Sequence, residues 1–156
     1  MNIKVLAVAA GIVSMSSVSV QADVDFRHAI EGTVLDFSFA KKGGNTPGFK
    51  KFLVDGKNPY NGDKDAIQEG HDLYMPACSG CHGHEAEGKL GPGLADDYWT
   101  YPAAETDKGL FEILYGGAKG MMGPQNVNLN TDEMLHIMAW MRDIYKGDPK
   151  KAKWLK

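Results

Sequence analysis

Cysteine is almost absent from this chain of 156 residues: there are two, Cys78 and Cys81, with two residues between them. A bridge between neighbours so close cannot stiffen a domain, which excludes a disulfide framework and leaves the thiols for chemistry. An excess of positive charge is lacking too. Lysine and arginine number 17 against 20 aspartates and glutamates, a net charge of −3, which argues against a nucleic-acid partner held by phosphate neutralisation. No internal repeat, low-complexity tract, Ser-His-Asp array, paired-carboxylate site or phosphate-binding loop is present. Beyond the N-terminus no apolar run approaches the roughly 20 residues of a membrane-spanning helix. At 43% apolar and 24% charged, the chain can bury an ordinary core, and its length suits one domain rather than two.

The first 22 residues read as a secretory leader. Lys4 is their one charge, Val5 to Ala10 and Ile12-Val13 are apolar, and a small-residue stretch ends at Val20-Gln21-Ala22. Cleavage is expected after Ala22, leaving a mature chain of net charge −4 with no membrane span. Residues 23–61 form a Gly-, Lys- and Asp-rich extension in which Phe26, Phe37, Phe39, Phe49 and Phe52 need a core to bury against. Val34 to Phe39 alternates weakly, as a short strand does. Thr46-Pro47 followed by Gly48 to Val54 predicts a cap and a short helix ending near Gly56.

Helical spacing dominates from Asp63. Ala66, Ile67, Gly70, Leu73 and Tyr74 make an apolar face that runs into Cys78. Thr106 or Asp107 starts a second helix through Leu114, ended by Gly116-Gly117. Asn130 and Glu133 form a capping-box pair before the stripe Leu135, Met138, Ala139, Met141 and Ile144. Gly70 and Tyr74 are expected to cross Trp140. The segments divide as leader 1–22, extension 23–61, helical domain 62–148 and tail 149–156. Loops as long as 85–105 in so small a domain suggest that something other than side chains fills the centre.

That filling is indicated by Cys78-Ser79-Gly80-Cys81-His82, the Cys-x-x-Cys-His attachment signature of c-type haem. Two thiols three positions apart can bond the two vinyl groups of one porphyrin, and the next residue then offers its imidazole to the iron as proximal ligand. A thioredoxin-like dithiol needs a preceding strand, and a zinc site needs a second ligand pair at finger spacing; neither is seen. For the distal ligand, Met134, Met138 and Met141 lie on the last helix's apolar stripe, where packing is the default. Met121 and Met122 lie in a Gly-rich loop able to approach a flat ring. Resemblance to small c-type cytochromes, which carry this ligand about seven residues before the leucine that precedes the last helix, makes Met122, at that interval from Leu129, the choice, with Met121 as runner-up at the haem edge. His71, His84 and His136 are the fallback; an open sixth position would instead suit a sensor or a peroxidase-like protein. Pro92 offers a carbonyl to His82, while Trp99, Tyr98 and Tyr101 are candidate donors to a haem propionate. Met121, Ala118 and Leu94 are candidates for an apolar docking patch. Glu85, Glu87, Asp96 and Asp97 would ring it with acid, and Lys41, Lys42, Lys50 and Lys51 lie in the extension.

The run from Cys78 to Leu94, Tyr98-Trp99-Thr100-Tyr101-Pro102, Gly116 to Pro124 with its Gly-Met-Met-Gly-Pro string, and Asp132-Glu133-Met134-Leu135 resemble the class I c-type cytochromes, and within them the cytochrome cL family. Thr46-Pro47 and Lys51-Phe52 are similar to that family's N-terminal extension. The resemblance implies a mainly α class I cytochrome c fold, about three to five helices around one covalent haem c. It implies a monomeric periplasmic one-electron carrier, not an enzyme, with His82 and a methionine of the Met121-Met122 pair on the iron. The donor it implies is a PQQ-dependent methanol dehydrogenase, of calcium or lanthanide type, and the acceptor a smaller cytochrome c or a terminal oxidase. A general periplasmic carrier, or the haem subunit of another quinoprotein dehydrogenase, is the alternative. A calcium ion beside the haem is left open.

Overall fold

The computed structural model describes residues 24–156, so the leader assigned to residues 1–22 lies outside it. Among the described residues, five α-helices carry the fold: α1 (Pro47–Asp55), α2 (Lys64–Ala77), α3 (Ser79–His82), α4 (Asp107–Gly116) and α5 (Thr131–Asp143). Local chemistry sets their ends. Thr46 caps α1 by accepting from Phe49 N, and Gly56 stops it in the left-handed region. Asp63 accepts from the amides of Asp65 and Ala66 at the start of α2. Asn130 and Glu133 form the capping box of α5.

Helices α2 and α5 cross face to face. A Cβ on Gly70 would lie 1.9 Å from the His136 carbonyl oxygen, so only glycine permits this approach. One turn further along, the Tyr74 and Trp140 rings stand 4.3 Å apart. The crossing anchors the C-terminal end of α2, from which the Cys-x-x-Cys-His run leaves.

The extension covers the outer face of α4 and α5. Phe26, Phe49 and Phe52 are buried with Phe111 of α4, the Phe26–Phe52 and Phe52–Phe111 centroids lying 5.1 and 5.0 Å apart. Two expectations are corrected here. Residues 34–39 are not a strand: Val34 makes one isolated bridge to Arg27, and Phe37–Phe39 is a 3₁₀ turn. The Asp36 side chain accepts from Ser38 N at 2.8 Å, which curls the backbone before it can pair. The same turn carries Phe39 outward, 76% exposed, while Phe37 packs inward.

The last residues fold back on the body. Ala152 is buried, and the Trp154 ring meets Tyr145 at 4.7 Å. Lys151 Nζ lies 2.9 Å from Asp97 Oδ2, and Asp148 N donates to Asp97 Oδ1 at 2.8 Å. Asp97 is thus the tail's anchor and not a free member of an acidic docking ring, as its sequence neighbourhood suggests. The Tyr145 hydroxyl, then the Lys151 ammonium, hold its carboxyl at about 2, below the ordinary 3.8. A depressed folded-state value means that this anchoring is fully present above pH 3.8 and lost as pH falls through about 2. The Asp148 amide resonance is expected to titrate with a midpoint near 2 and to lose that step in Asp97→Asn. A midpoint at 3.8 would show that the carboxylate is not held.

Candidate functional site

Helix α2 ends where Pro76 removes an amide donor, and Cys78 breaks the helical path before the single turn of α3. Tyr74 sits beneath this junction, fully buried, its hydroxyl donating to Gly83 O at 2.9 Å. Gly83, at φ 84, stops α3 immediately after His82. The chain then doubles back over the imidazole: Gly88 N donates to His82 O at 2.7 Å and Gly91 N to Cys81 O at 2.8 Å. A Cβ on Gly91 would sit 2.7 Å from His82 Cε1. The imidazole is therefore clamped flat against backbone, which explains the glycine density of residues 83–93.

His82 is buried, and its Nδ1 lies 2.8 Å from the Pro92 carbonyl oxygen. A carbonyl only accepts, so Nδ1 carries the proton and the neutral ring keeps its lone pair on Nε2. That is the arrangement of a metal-ligating histidine oriented by a backbone acceptor.

His82 borders a cavity of about 370 Å³, within the size range of cofactor sites. Cys78, Cys81 and His82 stand on one side. Leu110, Ile113 and Leu114 of α4, Met141 of α5, and Trp99, Ala104, Leu94 and Met122 complete a mainly apolar wall. Cys78 is half-buried and Cys81 exposed, both as free thiols. Burial pushes the Cys78 thiol up to about 11, opposite to the lowered value of a redox-active dithiol. Among the described residues, no group of three or more His, Cys, Asp or Glu side chains is placed to hold a metal ion. Thiol pair, oriented imidazole, thioether and apolar enclosure fit a haem.

The structure sorts the remaining candidates. Trp99 and Tyr101 line the cavity. Tyr98 does not: Asp96 Oδ1 accepts from Tyr98 N at 2.8 Å, and the resulting turn sends its ring into solvent, 69% exposed. Met121 and Met122 both border the cavity, but Met121 is 92% exposed whereas Met122 packs against the core. His71, His84 and His136 do not line the cavity. His136 Nδ1 lies 3.1 Å from Glu69 Oε2, and its ring stands edge-on to Tyr60. Lys41 pairs with Glu133 at 3.0 Å and is not a free surface charge, whereas Glu87 accepts from Glu85 N and stays exposed.

Several residues escaped the sequence reading. Leu90 borders the cavity at 77% exposure; a leucine between Lys89 and the Gly-Pro-Gly run, in a loop with no apolar periodicity, was the available signal. Lys119 and Gln125 also border the cavity. Behind Trp99, Asp107 and Arg142 form a buried pair at 3.0 Å, which helical periodicity does not reveal.

Residues 65–141 match the family described as cytochrome C oxidase, cbb3-type, subunit III. The chain is 54% identical over 136 residues to cytochrome c-L of Methylorubrum extorquens, covering 86% of this chain and 69% of that protein. It belongs to the cytochrome cL family. Two crystal structures of cytochrome cL superpose closely. That from the marine methylotrophic bacterium Methylophaga aminisulfidivorans is 59% identical, with a TM-score of 0.83 over 85% of this chain and 89% of that one. That from Hyphomicrobium denitrificans is 48% identical, with a TM-score of 0.82 over 86% and 82%. Membership of the cytochrome cL family establishes a mainly helical c-type cytochrome, a haem c electron carrier rather than an enzyme. No helix among the described residues is long and apolar enough to cross a membrane.

Proposed function

We propose that the mature chain is a periplasmic one-electron carrier that accepts electrons from a PQQ-dependent methanol dehydrogenase and passes them to a smaller cytochrome c or an oxidase. One observation carries the site: His82, directly after Cys81, is buried at the cavity wall with Nδ1 committed to Pro92 O. Cys78 and Cys81 would hold haem c through thioether bonds, and the bound group would supply the one-electron couple. His82, through Nε2, and Met122, through its thioether, would be the residues that hold its iron. The Pro92 carbonyl holds the imidazole in one orientation, so the ligand geometry need not reorganise when the charge changes. The apolar wall from α4 would keep water from the metal and disfavour its more charged state, and the Met122 thioether would favour the reduced one.

Exchange with partners needs an exposed edge. Leu90 and Met121 are apolar, exposed and at the cavity mouth, and suit a transient contact that desolvates easily. Methanol dehydrogenase as donor is supported by kinship with cytochrome cL proteins, one of them from a methylotrophic bacterium. The leader, cut after Ala22, would deliver the chain to the compartment where thioether haem is assembled.

Mixing oxidised holoprotein with catalytic methanol dehydrogenase of calcium or lanthanide type, then adding methanol, is expected to raise the ferrous α band with one of them. Reduction by dithionite but by neither dehydrogenase would leave the carrier and remove methanol from the assignment, favouring another quinoprotein dehydrogenase as donor.

A further inference from the structure

The Met122 loop leaves α4 through a pinched neck: a Cβ on Gly117 would lie 2.9 Å from Pro124 N. Inside the neck, Ala118 N donates to Met122 O at 2.9 Å and Gly123 N to Met121 O at 3.1 Å, so the turn is closed on itself. A Cβ on Gly120 or Gly123 would meet nothing within 4 Å, so the tip has open space around it. Among the described residues, 118–122 make one hydrogen bond to anything outside this turn. It runs from Lys119 N to the Tyr101 hydroxyl, 3.0 Å away, and is exposed to solvent. Tyr101 comes from a separate segment, one residue before the 3₁₀ turn Pro102–Glu105, and lines the cavity together with Met122.

We propose that Tyr101 is the latch that holds the methionine loop closed: its hydroxyl oxygen accepts the Lys119 amide and thereby fixes Met122 against the cavity. This rests on Met122 being the distal ligand. Tyr101 is a positioning residue, acting through the loop backbone and not on the metal. Beyond the packing of Met122 and its hold on the metal, a loop hinged at glycines, with a closed neck and an open tip, has few other restraints against swinging outward. Loss of the latch therefore raises the population of the open loop, leaving the helices and the His82 side intact.

The test is Tyr101→Phe, which keeps the ring on the wall and deletes the oxygen. Tyr115→Phe is the control, because it deletes a hydroxyl bonded to Asp36 O on a residue that does not line the cavity. Met122→Ala is the reference for an open site. Each is read by carbon monoxide binding to the dithionite-reduced holoprotein and by amide exchange at Lys119. Tyr101→Phe is expected to bind carbon monoxide and exchange the Lys119 amide about three- to tenfold faster than the parent, the worth of one hydrogen bond. Tyr115→Phe should match the parent in both. Parent-like carbon monoxide binding in Tyr101→Phe, with fast binding in Met122→Ala, overturns the latch and leaves the ligand. Slow binding in both overturns the ligand assignment, and the latch with it.

Discussion

Met122→Ala is expected to lower the midpoint potential by on the order of 100 mV, part of the roughly 0.8 V span over which axial ligands set haem potentials, and to open the ferrous iron to carbon monoxide. The thioether stabilises reduced iron, so its loss shifts the couple toward the oxidised form. Met121→Ala is the informative partner. Its side chain is 92% exposed, so its removal should leave spectrum and potential nearly unchanged while altering the apolar mouth. Potentiometric titration and the carbon monoxide difference spectrum read both variants. A parent-like spectrum in Met122→Ala combined with an opened iron in Met121→Ala would transfer the ligand role to the neighbouring residue.

The second large effect is expected at the buried pair behind Trp99. Asp107, at the start of α4, accepts from Arg142 Nε at 3.0 Å with one oxygen. With the other it accepts from Asn58 N at 2.9 Å and Asn61 Nδ2 at 2.8 Å. Arg142 Nη2 donates to Ala104 O at 3.0 Å. The guanidinium lies between two indoles, 3.8 Å from the Trp154 centroid and 5.4 Å from that of Trp99. Both side chains are at most 4% exposed. Burial lowers the Arg142 pKa while the Asp107 charge opposes that shift, so the cation depends on its partner.

Asp107→Ala strands that cation and two amide donors, and should cost about 3–5 kcal/mol. For a domain of this size that is a fall in melting temperature of about 10 °C or more. Glu105→Gln, which breaks the more exposed pair with Lys153, should cost under about 1 kcal/mol. A comparable small loss in Asp107→Ala would mean that Arg142 finds another partner. Because Ala104 and Trp99 also line the haem cavity, the damaged variant should lose haem-pocket order together with stability.

The parts legible in the sequence are those governed by neighbours along the chain. The caps at Thr46, Thr106 and Asn130 and the stops at Gly56 and Gly117 act within one helical turn, and the haem motif places its thiols and imidazole in five consecutive residues. The Gly70–Tyr74–Trp140 crossing was readable as well, because a glycine on an apolar face signals close approach. Short alternation at residues 34–39 misled because one aspartate hydrogen bond outweighs a weak two-residue period. The tail's docking was not legible because its main anchor, Asp97, lies 54 residues from Lys151 in sequence.

By itself, then, the sequence determined the helices, their ends and the chemistry of the attachment segment, since those follow from local spacing and backbone preference. Tertiary structure alone decided which of two adjacent methionines packs inward, that Trp99 and not Tyr98 meets the cavity, and that Tyr101 reaches Lys119. It also brought Asp107 and Arg142 together. The physical reason is common to all of these: the direction of a loop side chain, and the partner of a buried charge, are set by packing between segments that the chain brings together only when it folds.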